Sequence, residues 1–194
     1  MKKIILIIFT IVLILSINVL AVDIDIGMPA INRGATGESL HTYINAAEIA
    51  NASGKITTVE IYSWGNLINV EVATFYRPDP GGFPNNFSTR DSVLIGAVED
   101  DAIRTFDVDL DVEAGDFIGM YCQGYMEKDS SGFNGVWDFN GDAISCTNQA
   151  FTFLDGDAIS LHGMGGVAGW PHKWNTQTIS KWNTKEFTKW NGLE

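Results

Sequence analysis

The chain has 194 residues, 24 of them acidic against 12 basic, a formal net charge of −12 at neutral pH, and 45% of its side chains are hydrophobic. That balance excludes nucleic acid and anionic lipid as partners of the body, because an acidic surface repels phosphate; neutral glycans, divalent cations or a basic partner remain compatible, as does plain solubility. The length suits one domain with a core of its own.

The chain opens Met1-Lys2-Lys3, runs apolar from Ile4 to Leu15, and reaches Val19-Leu20-Ala21. A positive start, an apolar stretch and small residues at the cleavage positions make residues 1–21 a secretory signal of bacterial type, helical while in the membrane. An uncleaved anchor is the competing reading, since Ile4 to Val22 approaches the ~20 residues that span a bilayer. Cleavage leaves Val22 first and 10 basic against 24 acidic side chains. The expected domains are a β-sandwich over 22–162, a Gly-rich linker over 163–172 and a repeat tail over 173–194.

Period-two patterning dominates the body. Val22–Ile26 alternates, and Thr105–Leu110 does so strictly, with Phe106, Val108 and Leu110 on one face and Thr105, Asp107 and Asp109 on the other. Only a rotation of 180° per residue segregates them, so both read as half-buried strands. Between them, Tyr43–Asn51 alone has helical character, enough for one or two turns. Lys55–Tyr62, Asn69–Phe75 and Ser92–Val98 read as strands, as do Asp116–Cys122, Gly135–Phe139 and Ala158–Leu161 further on. Each is rich in β-branched or aromatic residues and bounded by Gly, Asn, Asp or Pro. Asn51–Gly54, Pro78–Gly82, Glu113–Asp116 and Asn140–Asp142 carry turn chemistry. Such strands bury their apolar faces only against another sheet, which predicts an all-β, two-sheet antiparallel sandwich of jelly-roll or Greek-key winding.

Cys122 and Cys146 form a disulfide if the exported compartment is oxidising, and otherwise stand as two separately buried thiols. Asp138-x-Asn140-x-Asp142 repeats the first three ligand positions of a calcium loop, with Asp129 and Asp155-Gly156-Asp157 as further oxygen donors. Ala143 and Gln149 replace the Gly and Glu that an EF-hand needs, and ordinary Asx turns explain the same residues. Asp107, Asp109 and Asp111 read as a solvated strand face that shields an edge.

His41, His162 and His172 lack zinc-ligand spacing, and the chain contains neither a Gly-x-Ser-x-Gly elbow nor a His-Glu-x-x-His pair. Trp64, Tyr76, Phe83, Trp137 and Trp170 are candidates for stacking on sugar rings, against the alternative that aromatics fill the sandwich interior. The sequons at Asn51 and Asn86 carry no weight beside a bacterial-type signal. Gly163–Ala168 matches the loose pattern Gly-x-Gly-x-x-Ala, but Pro171 and the Trp repeats follow where a helix is required, so it reads as linker.

The last 22 residues change character. Lys173-Trp174-Asn175-Thr176, Lys181-Trp182-Asn183-Thr184 and Lys189-Trp190-Asn191-Gly192 recur every eight residues. Eight is even, so an extended chain presents all three indoles on one face, whereas a helix would rotate them by about 80° per repeat. From Trp170 onward there are four Lys against two Glu, so a basic tail follows an acidic body.

The body, through Asn51–Gly54, Ala73–Phe75, Ser88–Asp91, Gly115–Gly119 and Cys146–Asn148, resembles a group of uncharacterised exported or phage-associated β-sandwich proteins. Ile179–Thr184 and Phe187–Gly192 are similar to the Ile-Ser-Lys-x-Asn-Gly repeats that end some phage tail and virion-associated proteins. The resemblance implies an extracellular sandwich and no activity.

The expectation is a secreted, non-enzymatic structural or interaction module, without a cofactor. Lys173, Trp174, Lys181, Trp182, Lys189 and Trp190 would contact a protein partner, a second copy or a cell-surface polymer; the membrane is a partner only through an uncleaved signal. A carbohydrate-binding module with structural calcium is the alternative, and an extracellular hydrolase acting through carboxylates the second.

Overall fold

The computed structural model describes residues 23–166. Fourteen strands run through them: β1 (Asp23–Gly27), β2 (Ala35–Thr36), β3 (His41–Asn45), β4 (Gly54–Ile61), β5 (Leu67–Tyr76), β6 (Asn86–Val98), β7 (Arg104–Val112), β8 (Phe117–Gln123), β9 (Glu127–Asp129), β10 (Val136–Asn140), β11 (Gln149–Ala150), β12 (Thr152–Leu154), β13 (Ala158–Ile159) and β14 (Leu161–Gly166). They form a four-stranded sheet in the order β1-β14-β4-β7, a seven-stranded sheet β11-β6-β5-β8-β3-β10-β12, and a small sheet β13-β9-β2. All pairings are antiparallel. The architecture is an all-β antiparallel sandwich. Its main pairs nest: β5 with β6, β4 with β7, β3 with β8 and β1 with β14.

The interior between the two large sheets holds Ile24, Ile26, Ile56, Val59, Ile61, Val70, Val72, Leu110, Ile118 and Met120, each at most 1% exposed. Each such side chain contributes about 1.5–3 kcal/mol relative to leaving it in water. Alternation sends the next residues of the four-stranded sheet to solvent. The seven-stranded sheet behaves otherwise. β8 is buried at six successive positions, Phe117 to Cys122, and β3 at all five.

The second face of that sheet carries an aromatic layer: Phe75, Phe87, Phe117, Trp137 and Phe151, with Phe139 beside them. Phe87 meets Phe117, Trp137 and Phe151 at ring-centroid distances of 5.4, 4.8 and 5.6 Å. The chain from Gly141 to Asn148 crosses over this layer from β10 to β11 and adds Ala143, Ile144 and Cys146 to it. Two threonines fasten the strap. The Thr42 hydroxyl donates to the Gly141 carbonyl at 2.7 Å and accepts the Ala143 N–H at 2.9 Å. The Thr89 hydroxyl donates to the Ile144 carbonyl and accepts the Cys146 N–H at 3.0 Å.

Four expectations are corrected. Tyr43–Asn51 is not helical: β3 ends at Asn45 and an irregular loop follows. Tyr43 belongs to the inner core and Ile44 to the aromatic layer, and only a strand sends neighbours to opposite faces. β6 begins at Asn86, six residues before the expected start, because Phe87 is needed in the aromatic layer. Gly163–Gly166 is the second half of β14, not linker. A Cβ on Gly163 would meet Ile26 at 2.8 Å and Ile118 at 2.9 Å, and one on Gly165 would collide with the Lys55 carbonyl oxygen. Glycine lets β14 lie close over the core. Finally, Cys122 and Cys146 are not bonded to each other. Cys122 points into the inner core and Cys146 packs on the aromatic layer, so the sheet itself separates them. Burial pushes the Cys122 thiol up to about 12 and raises Cys146 as well.

Candidate functional site

The exposed face of the four-stranded sheet is rich in charged side chains. Alternation brings out Asp23 and Asp25 from β1, His162 and Met164 from β14, Lys55, Thr58 and Glu60 from β4, and Thr105, Asp107, Asp109 and Asp111 from β7. Register sets Asp25 opposite Met164, Thr58 opposite Asp107, and Lys55 between Gly166 and Asp111. The Lys55 ammonium lies 2.8 Å from Asp111 and 2.9 Å from Asp109, and those hydrogen bonds raise its pKa. The face thus carries six carboxylates and one lysine, which Asp109 and Asp111 hold between them. The Asp107–Asp111 ladder is the solvated strand face its spacing predicts.

His162 bridges three strands of this face. Its Nε2 contacts Asp25, and its Nδ1 lies 3.9 Å from Glu60. An open cavity of about 350 Å³ sits beside it, lined by Asp23, Ile24, Asp25, Thr57, Met164 and Gly165. Chemically this is an imidazole held between carboxylates. His41 is engaged in the same way, with Nδ1 2.8 Å from Asp138 and Nε2 3.2 Å from Glu38, and stacked on Tyr43 at 5.9 Å.

The residues of the expected calcium loop have other partners in the fold. Asp138 faces His41, Asp142 accepts the Ile144 N–H at 3.0 Å as an Asx turn, and Asn140 is exposed on the strand opposite His41. Asp129 and Asp157 are partners of Arg33 and Lys128. Among the described residues no three His, Cys, Asp or Glu side chains are placed to hold a metal ion.

Sequence reasoning missed a buried ionic hub. The Arg33 side chain is fully buried, donates to Ser160 and Asp129 at 2.8 Å each and to the Pro29 carbonyl at 2.9 Å, and lies 5.1 Å from the Phe133 ring centroid. Its own N–H donates to Glu127, whose other carboxylate oxygen is buried without a partner. Burial raises the Asp129 carboxyl, but the Gly34 N–H and the Arg33 guanidinium outweigh it and hold it below its ordinary 3.8. The partners lie about a hundred residues apart, so no local signal announces them.

The candidate stacking residues separate cleanly. Trp137 belongs to the aromatic layer and donates from its indole to Asn85 at 2.9 Å. Tyr76 lies under the Arg90 guanidinium, 5.0 Å from its ring centroid. Trp64 is 67% exposed, and Phe83 is also exposed. Trp64 precedes β5 where Ser63 bridges Met126, which sets it opposite exposed Tyr125. Ile68 and Leu40 are exposed at the same end, Leu40 in the left-handed region at φ 66° with its N–H donated to Cys122. Trp170 and the tail residues Lys173, Trp174, Lys181, Trp182, Lys189 and Trp190 lie outside the described residues, as does the signal segment.

Among the described residues, fold and surface together define a sandwich with one covered and one bare outer face. Neither protein-family models nor curated proteins match the chain.

Proposed function

We propose that this chain is an exported, non-enzymatic interaction module, a rigid sandwich that presents its Lys-Trp-Asn repeats as an attachment element. The partner is a protein, a second copy or a cell-surface polymer. The nested pairing of strands supports a jelly-roll winding, an architecture of capsid and lectin domains, and this remains a likeness of fold alone. One observation carries the reading: β14 is an interior strand, paired on both sides by β1 and β4. A force on the chain after Gly166 therefore meets the middle of a sheet, not a fraying edge. Deleting Trp170–Glu194 should leave the far-ultraviolet spectrum of the body unchanged and abolish surface retention or self-association. Retention and oligomer size that survive the deletion would end this reading.

A second reading is favoured by the exposure of Trp64 beside Tyr125: a carbohydrate-binding module that stacks sugar rings at this end of the sandwich. A glycan array checks it, with Trp64→Ala expected to abolish any binding found and silence across the array removing the idea.

A further inference from the structure

Resting on the attachment reading, we infer that the tail is held in reserve on its own body: Lys181–Trp190 pairs with the outer edge of β7 until a partner displaces it. The four-stranded sheet has two edges. The β1 edge is closed, because the Asn51 side-chain amide accepts the Asp25 N–H at 3.2 Å and donates to the Asp23 carbonyl at 3.1 Å, and Gly27 donates to the Glu48 carbonyl at 2.7 Å. The β7 edge is closed only at its Asp111 end, where Asp91 accepts the Asp111 N–H at 2.9 Å and the Thr74 hydroxyl donates to the Asp111 carbonyl at 2.7 Å. Among the described residues, Arg104–Asp109 remains as open edge.

Two faces of that edge match two faces of the tail. Outward stand Asp107, Asp109 and Asp111; inward, Phe106 and Val108 are only partly buried, as are Val93 and Ile95 that pack on the same core. In the tail, Lys181, Lys185 and Lys189 have odd numbers and Trp182 and Trp190 even ones, so an extended segment carries its lysines on one face and its indoles on the other. Laid along β7, the lysines meet the aspartates while the indoles cover the half-buried apolar flank. An acidic ladder repels most strands from an edge, but cross-strand pairs of opposite charge attract.

Reach favours the chain's own tail over a second copy. Register places Gly166 beside Lys55, and Lys55 beside Asp111. A strand added outside β7 lies three strand spacings from Gly166, about 14 Å. Residues 167–180 extend to about 46 Å at full stretch, which gives a high effective concentration. Two strongly acidic bodies also repel each other.

Hydrogen exchange on the full mature protein tests this. Amides of Arg104–Asp109 should exchange about tenfold slower than in Lys181→Glu/Lys185→Glu/Lys189→Glu, at every protein concentration. Adding Asp107→Lys/Asp109→Lys to that variant should restore the protection. Equal exchange in parent and triple variant overturns the inference, and protection that rises with concentration overturns it in favour of a second copy's tail. Loss of surface retention on tail deletion, with β7 exchange unaffected by the tail charges, sinks this inference while leaving the attachment reading standing.

Discussion

The two large sheets share one interior but have opposite outer faces. The four-stranded sheet turns carboxylates to solvent, whereas the seven-stranded sheet turns out an aromatic layer and covers it with the Gly141–Asn148 strap. A strand exposed on one side must alternate; a strand covered on both sides is free to be apolar throughout. β7 is therefore easy to recognise, while β3 and β8 lose their period.

Phe87→Ala should break the covered side hardest. It removes the ring shared by three aromatic contacts, and about 3–5 kcal/mol of unfolding free energy should disappear in urea titration. Arg33→Met comes next, at about 3 kcal/mol, because Asp129 loses its buried cation and Ser160 and the Pro29 carbonyl lose their donor. Its pH dependence has a definite sign. A carboxylate held below its ordinary value stabilises the fold above that value and stops doing so as pH falls through the folded pKa. The parent should thus lose the Asp129 contribution below about pH 3.8, and Arg33→Met should lose less over the same window.

Thr89→Val should cost about 1–2 kcal/mol by unfastening one end of the strap, seen as faster amide exchange at Cys146. Asp107→Asn, on the bare side, should change stability by at most about 0.5 kcal/mol. A bare-face substitution that matched Phe87→Ala would erase the distinction between the faces. Smallest of all, a reducing agent should leave the melting temperature of the freshly purified protein unchanged, since Cys122 and Cys146 lie on opposite sides of a sheet.

The residues show why part of the site was readable and part was not. The Asp107–Asp111 ladder is a local pattern, and its place on an exposed strand face follows from spacing alone. The pairing of Asp138 with His41 spans 97 positions, and that of Asp25 with His162 spans 137. Asp138, Asn140 and Asp142 have the spacing of a ligand loop, yet β10 turns Asp138 to His41 and ends at Asn140, while Asp142 closes an Asx turn in the strap.

By itself the sequence determined the class of the fold, the strand that shields an edge and the change of character at the tail, because each depends on periodicity and composition over a few neighbours. Only the tertiary structure decided which faces are covered, that Gly163–Gly166 is a strand, that the cysteines stay apart and that Arg33 anchors a buried hub. Those outcomes depend on what a distant segment places against each residue, and close packing admits one arrangement where local spacing admits several.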